Sequence, residues 1–153
     1  LSTCGLVDRI DRLAKEHLGL TLSVSLHAPN DMIRNQTMPV SKRWPMETLL
    51  LACRRYAEET GRRVSFEYAL IRNLNDSMAC ADELAKRLSG MLCHVNLIPV
   101  NEIRETAYHR SETARILAFQ QRLTKHGINA TVRRTLGADI NAACGQLRRE
   151  QLL

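Results

Sequence analysis

Long apolar runs are missing from this sequence of 153 residues. No stretch approaches the roughly 18 to 20 consecutive apolar residues that a membrane-spanning helix needs. The first residues also lack the basic and apolar regions of a secretory signal peptide. With 44% hydrophobic and 25% charged residues, the composition is that of a globular protein and argues against a disordered or fibrous chain. We therefore expect one domain of a soluble, cytoplasmic protein that has no membrane partner.

Closely spaced cysteines are missing as well. The cysteines number five, and no two of them have the Cys-x2-Cys spacing of metal sites: Cys4, Cys53, Cys80, Cys93 and Cys144. Because the count is odd and a secretory signal is absent, the pattern favours free thiols over disulfides. No metal site can be assigned from these cysteines.

The charge is only modestly unbalanced, with a formal net charge of +6. An excess of this sign could serve a phosphate backbone, although by itself it is a weak indication. Much of it lies in adjacent pairs: Lys42-Arg43, Arg54-Arg55, Arg62-Arg63, Arg133-Arg134 and Arg148-Arg149. Neighbouring side chains on a helix or strand point in different directions, so we interpret most of these pairs as solvated surface.

Four glycines mark the ends of amphipathic segments: Gly19, Gly61, Gly90 and Gly127. Glycine fits there because it readily adopts the left-handed conformation that closes a helix. We predict four helices, one before each glycine. The first covers about residues 7–18 and the second follows Pro45. Ser77 or Asp76 caps the third, and Ser111 caps the fourth.

Extended apolar runs follow the same glycines, at residues 20–26, 64–70, 94–98 and 128–132. Leu1-Ser2-Thr3 resembles the last residues of a further strand, so we expect the chain to be a fragment whose sheet has an uncovered edge. Helices that alternate with strands require crossover connections and therefore a parallel sheet. The sequence predicts an α/β fold of parallel strands with outer helices, as part of a barrel or of a doubly wound sheet.

Polar residues stand at the carboxyl ends of the predicted strands. They include Ser2-Thr3, Ser25-Leu26-His27, Glu67-Tyr68, Pro99-Val100-Asn101 and Arg133-Arg134. All βα loops of a parallel sheet emerge at that end, where functional groups gather. Each residue alone is as well explained by the capping of a strand, and His27 by a structural histidine that donates to a backbone carbonyl. Together they favour the binding of a polar small molecule.

The last segment places Cys144 among small residues, within Asp139-Ile140-Asn141-Ala142-Ala143-Cys144-Gly145-Gln146-Leu147. Small neighbours and Gly145 would let a loop move and approach a substrate closely. Such a cysteine is either a nucleophile, reactive as the thiolate, or a packed structural residue. The pattern leaves both interpretations open.

Four segments in order resemble the RlmN/Cfr family of radical S-adenosylmethionine (SAM) RNA methyltransferases. They are residues 1–5 (Leu-Ser-Thr-Cys-Gly), 25–31 (Ser-Leu-His-Ala-Pro-Asn-Asp), 96–101 (Asn-Leu-Ile-Pro-Val-Asn) and 139–147. The similarity runs through the whole chain. It implies a partial (β/α) barrel of the radical SAM type. Residues 1–153 would form the carboxy-terminal part of the barrel domain, including the tail loop with the methyl-carrying cysteine.

The resemblance also implies roles for individual residues. Ser2, the Ser25-Leu26-His27 turn and Asn101 would contact SAM, and Cys144 would carry the methyl group. In the family one SAM methylates the cysteine, and a second is cleaved to a radical that activates this methyl group for addition to an adenine. Carbon 2 of adenine is too weak a nucleophile for ordinary methyl transfer, so the cofactor must supply the reactivity.

The implied partners are 23S ribosomal RNA, transfer RNA as a further candidate, and an electron donor for a 4Fe–4S cluster. The target base would be drawn out of its stack to reach the site. The cluster-binding Cys-x3-Cys-x2-Cys motif and the amino-terminal RNA-binding domain of the family have no counterpart in this chain. We therefore expect no metal ligands here and no activity from these 153 residues alone.

Three alternatives remain beside this interpretation. A Cfr-type enzyme would methylate carbon 8 of an adenine in ribosomal RNA with the same motifs. A non-catalytic βα module would bind RNA through its basic pairs. An aldolase-like or phosphate-binding barrel fragment is disfavoured, because the predicted strand ends have neither a glycine-rich phosphate loop nor a lysine.

Overall fold

Residues 1–101 and 107–133 are described by a computed structural model of the chain. Within them the strands form one parallel sheet in the order β1-β2-β3-β4-β5. The strands are β1 (Ser2–Thr3), β2 (Leu22–Ser25), β3 (Val64–Leu70), β4 (Cys93–Pro99) and β5 (Ala130–Val132). Each strand pairs with the next one along the chain, so right-handed crossovers place the helices on one face. This is the winding of a barrel, and it removes the doubly wound alternative.

The helices are α1 (Val7–Lys15), α2 (Asp31–Thr37), α3 (Met46–Thr60), α4 (Met78–Leu88) and α5 (Thr113–Lys125), with a 3₁₀ helix at Pro39–Lys42. Four of them are the predicted helices. The α2 helix and the 3₁₀ helix were not predicted. Asn30 caps α2, because its side-chain oxygen accepts the Ile33 N–H at 3.0 Å.

Three further details of the helices concern their ends. Ser77 caps α4 as predicted, and its hydroxyl oxygen accepts the Cys80 N–H at 3.1 Å. The predicted cap of α5 by Ser111 is wrong, since that helix follows Glu112 and the Ser111 hydroxyl donates to Asp76 Oδ2 at 2.8 Å. Gly61 closes α3 with a φ of +64°, which is the left-handed conformation predicted for it.

The two faces of the sheet differ in chemistry. Alternate strand residues are apolar and fully buried against the helices: Leu22, Val24, Val64, Phe66, Tyr68, Val95 and Leu97. The residues between them form the opposite face, which we call the polar face: Ser23, Ser25, Ser65, Glu67, His94, Asn96 and Thr131. Paired residues of parallel strands point the same way, so Ser25, Glu67, Asn96 and Thr131 form one row across the polar face.

A surface cluster joins α4 to α5 and predicts a pH effect on stability. Asp82 accepts hydrogen bonds from Arg122 and His126, each with a contact of 2.9 Å, and these bonds lower its pKa to about 2. A carboxyl whose folded pKa lies below its unfolded value, near 4, stabilises the fold above that value. This contribution is lost as the pH falls from about 4 towards 2.

We therefore expect Asp82→Asn to lower the urea midpoint of unfolding at pH 6 and to have little effect near pH 2. The effect is small because the pair is exposed. Asp8→Asn is the matched control, since the Asp8 carboxylate lies 4.0 Å from Arg9 Nε at an exposed site. A difference between Asp82→Asn and the parent that stays constant over this pH range would contradict the assignment.

Candidate functional site

A chain of hydrogen bonds crosses the polar face from β3 to β5. Asn96 Nδ2 donates to Glu67 Oε1 at 2.9 Å, and the Thr131 hydroxyl donates to Asn96 Oδ1 at 3.2 Å. His94 Nε2 lies 2.9 Å from the same hydroxyl, whose proton is already committed, so the ring nitrogen is the donor. These bonds fix the Glu67 carboxylate on the polar face.

The other oxygen of Glu67 is buried without a hydrogen-bond partner among the described residues. Arg133 approaches it at 3.4 Å as an ion pair, and the Arg133 side chain is itself exposed. A buried, unsatisfied carboxylate oxygen is costly unless a donor or cation meets it. Arg133 is the cation that approaches this oxygen, so the polar face carries an ion pair level with the end of β2.

The Ser25-Leu26-His27 turn follows β2 directly and is held against β3. The backbone N–H groups of Leu26 and His27 both donate to the Glu67 carbonyl, at 2.9 and 3.3 Å. His27 has a φ of +57°, a left-handed conformation that is uncommon outside glycine. Local strain of this kind persists only where surrounding contacts hold it.

The neutral His27 ring is held as one tautomer. Its Nδ1 accepts the backbone N–H of Ala69 at 3.0 Å, so the proton of the neutral ring is on Nε2. Burial lowers the pKa of His27, the Arg34 charge lowers it further, and Glu67 opposes this shift. The ring accepts from the backbone, in contrast to the structural histidine of the sequence analysis, which would donate to a carbonyl. At neutral pH His27 Nε2 thus carries an N–H donor that has no acceptor among the described residues.

The structure places the predicted binding residues along the length of the sheet. Ser2 pairs with Ser23 and points to the polar face. Since Ser23 precedes His27 by four residues, Ser2 lies about 13 Å from the level of His27 along the strands. Leu26 is fully buried, so its side chain offers no polar contact. Asn101 is partly buried and lies two residues beyond the end of β4. A ligand that touched all of these residues would run parallel to the strands.

Some predicted residues lie outside the described part of the chain. Cys144, its surrounding segment at 139–147 and Arg134 are among them, so the predicted roles for these residues stay predictions. The sequence analysis missed two fully buried polar residues, Arg34 and Asn75, which contact the turn.

The described residues include polar groups that could contact SAM. SAM carries a sulfonium, an ammonium and ribose hydroxyls. The polar face presents the Glu67 carboxylate, which Arg133 approaches at 3.4 Å, and the turn offers the Ser25 hydroxyl and the His27 N–H for hydrogen bonds. Among residues 1–101 and 107–133, no group of three or more His, Cys, Asp or Glu side chains could hold a metal ion.

None of the helices described here is long and apolar enough to span a membrane.

The cysteines of the sheet and of α3 are poor metal ligands and poor nucleophiles. Burial raises the pKa of Cys53 to about 12 and that of Cys93 to about 11, so both remain protonated at neutral pH. Cys4 is exposed. With brief iodoacetamide treatment of the folded protein at pH 8, peptide mass spectrometry should show alkylation of Cys4 and none of Cys53 or Cys93. Equal alkylation of Cys53 and Cys4 without denaturant would contradict the assigned burial.

Comparison of the sequence with known proteins identifies relatives of the chain. No protein-family model matches the sequence. The chain is 53% identical over 152 residues to a protein of Clostridium novyi described as a probable dual-specificity RNA methyltransferase RlmN, covering 99% of this chain and 44% of that relative. A protein of Clostridium tetani with the same description is 57% identical over 149 residues, covering 97% of this chain and 43% of the relative. The chain thus spans less than half the length of these relatives.

Solved structures give the same assignment. The crystal structure of a radical SAM methyltransferase from Sphaerobacter thermophilus superposes with a TM-score of 0.91 at 55% identity, over 95% of this chain and 42% of that one. A domain of pyruvate-formate lyase-activating enzyme from Bacteroides vulgatus shares the fold, with a TM-score of 0.61 at 18% identity, over 88% of this chain and 98% of that domain. The chain has the parallel strands of a partial barrel, and it is 53–57% identical along nearly its whole length to the two Clostridium proteins and the Sphaerobacter thermophilus enzyme. It therefore belongs to the RlmN family of radical SAM methyltransferases.

Proposed function

We propose that the protein containing this chain methylates carbon 2 of an adenine in 23S ribosomal RNA, with transfer RNA as a second substrate. The observation that carries the proposal is identity of 53–57% along nearly the whole chain to relatives described as RNA methyltransferases. Residues 1–153 would be the carboxy-terminal part of the barrel domain, including the tail loop. Since they match about 43% of the length of those relatives, we propose that they do not methylate RNA when expressed alone.

The residues proposed to hold SAM are Ser2, Ser25, His27 and Asn101, with Leu26 acting through the backbone. His27 would donate from Nε2, because its Nδ1 is occupied by the Ala69 N–H. Leu26 would set the course of the turn, since its N–H donates to the Glu67 carbonyl and its carbonyl accepts from Arg34 at 3.3 Å. When bound, SAM supplies the methyl group and, with an electron from a 4Fe–4S cluster, the radical.

The residue proposed to carry the methyl group is Cys144. Two buried thiols elsewhere in the chain, those of Cys53 and Cys93, are unsuited to this role, because they are protonated at neutral pH. The protein would bring the sulfur of Cys144 and an unstacked adenine to the polar face, where placement is the main contribution of the chain to catalysis.

The test of the proposal is mass spectrometry of RNA from cells that lack their own enzyme and carry the full-length gene. We expect 2-methyladenosine to appear in 23S ribosomal RNA and to be absent from cells with the empty vector. Finding 8-methyladenosine would instead support the Cfr-type specificity. Finding neither nucleoside would contradict the proposed activity.

The non-catalytic alternative rests on the basic pairs, and one of them, Arg54-Arg55, is bound within the fold. Arg54 donates to the carbonyls of Arg87 and Ser89 at 2.8 and 3.0 Å. Its neighbour Arg55 forms a bidentate contact with Asp11 at 2.9 Å. Both members of this pair are therefore engaged within the fold, which leaves them less available to a phosphate backbone.

A further inference from the structure

Arg34 is a buried cation that binds backbone carbonyls. The residue is 0% exposed, and no carboxylate of the described residues forms an ion pair with it. Its guanidinium donates to four backbone oxygens: Cys4 at 2.9 Å, Leu26 at 3.3 Å, Ser25 at 3.4 Å and Trp44 at 3.4 Å. Burying a guanidinium without a counter-ion is costly, so its presence calls for a role that an apolar residue could not fill.

Three of the four carbonyls that Arg34 binds belong to the two loops that carry proposed SAM contacts. Cys4 follows β1, two residues after Ser2, and Ser25 and Leu26 belong to the turn at the end of β2. The fourth carbonyl, that of Trp44, lies just before α3. The rigid fork of a guanidinium can bridge several acceptors at once. One side chain thus fixes the loop after β1 relative to the turn after β2.

Asn75 holds the same turn from the side of β3. Its Nδ2 donates to the His27 carbonyl at 2.8 Å and to the Ala69 carbonyl at 2.7 Å, and its Oδ1 accepts the Ile71 N–H at 2.7 Å. Both donor hydrogens and one acceptor position of this fully buried amide are therefore used on backbone groups, two of which fix the turn and β3 next to each other. Ala69 is also the residue whose N–H fixes the His27 ring.

We propose that Arg34 and Asn75 are positioning residues that hold the Ser25-Leu26-His27 turn from two sides in the conformation that binds SAM. Arg34 fixes the carbonyls of Ser25 and Leu26, and Asn75 fixes that of His27. Three successive carbonyls are thereby bound, which keeps His27 left-handed with its ring proton on Nε2, where it can donate to the ligand. This inference rests on the proposed function, because it presumes that the turn binds SAM.

The first test is the substitution Arg34→Lys in the intact protein with its cluster. Lysine keeps the charge, but one ammonium cannot reach all four carbonyls. We expect the Kd for SAM, measured by equilibrium dialysis, to rise about tenfold or more, as loss of charged hydrogen bonds implies. The KM for SAM should rise by a similar factor, whereas kcat at saturating SAM should change little.

The matched control is Arg54→Met. Arg54 also donates to two backbone carbonyls, but these lie at the carboxyl end of α4, in Arg87 and Ser89, away from the turn. The Arg54→Met variant should be less stable than the parent but should bind SAM with the same Kd. A rise in the Kd that occurs only in Arg34→Lys then results from the turn and not from the loss of arginine–carbonyl contacts in general. Thermal unfolding of each variant shows which of them are folded at the temperature of the binding measurement.

A second variant, Asn75→Ser, tests the other side of the turn. It removes the donor to the His27 carbonyl and should also raise the Kd for SAM. If either variant folds and binds SAM as the parent does, the inference is overturned. It is also overturned if both variants are unfolded at 25 °C, because the two residues would then serve the fold as a whole. A parent protein that does not bind SAM would instead refute the proposed function.

Discussion

Replacement of Cys144 by alanine in the intact protein is expected to lower RNA methylation by at least about a thousandfold. Removal of a residue that forms a covalent bond in the reaction has effects of this size or larger. Cys53 and Cys93 cannot take over, because they are buried with raised pKa values. The measurement is transfer of labelled methyl groups from SAM to RNA at saturating SAM.

The matched control for this prediction is Cys4→Ala. Cys4 has an exposed side chain and contributes only its backbone carbonyl, which accepts from Arg34, to the contacts around the turn. The control should keep most of the activity. A non-catalytic RNA-binding module would bind RNA equally with or without Cys144, and unchanged methylation by Cys144→Ala would rule out the cysteine route.

Tyr68→Ala is expected to have the largest effect on stability, lowering the free energy of unfolding by about 3–5 kcal/mol. Tyr68 is fully buried in β3, and its ring centroid lies 5.3 Å from that of Phe119 in α5. The substitution would leave a cavity between the sheet and α5 and remove the hydroxyl that donates to the Asn75 carbonyl at 2.7 Å. Urea unfolding followed by circular dichroism measures the change.

One variant separates the contribution of the Tyr68 ring from that of its hydroxyl, and a second serves as an exposed control. Tyr68→Phe keeps the ring and should cost about 1–2 kcal/mol, the cost of a buried acceptor left unsatisfied. Tyr108→Ala, at a residue that is 38% exposed, should change stability by less than about 0.5 kcal/mol. If Tyr68→Ala were no more destabilising than Tyr108→Ala, the packing of α5 on the sheet would be wrong.

Much of the fold could be predicted because local chemistry decides it. The amphipathic segment before Gly61 forms α3, and the apolar run after it forms β3 with the predicted bounds of 64–70. Parallel pairing followed from the alternation of helices and strands. The α2 helix was missed because it is short and its buried residues are only Ile33 and Arg34, so the chain has no apolar stripe there to reveal it.

The site was predictable only in part. Ser25 and His27 stand at a strand end, which sequence position alone could show. The register of Ser2 with Ser23 is set by pairing between strands and could not be read from the chain. The roles of Arg34 and Asn75 could not be predicted either. A charged or amide residue between strands is usually solvated, whereas these two bind carbonyls that are distant in the sequence. The role of Cys144 remains a prediction.

A crystal structure of the intact protein with SAM bound is the most direct measurement of whether the strand ends form the catalytic site. We expect SAM on the polar face, within hydrogen-bond distance of the Ser25 hydroxyl and His27 Nε2, with the sulfur of Cys144 next to its methyl group. SAM bound on the helical side of the sheet, or Cys144 at the amino ends of the strands, would contradict the proposed mechanism.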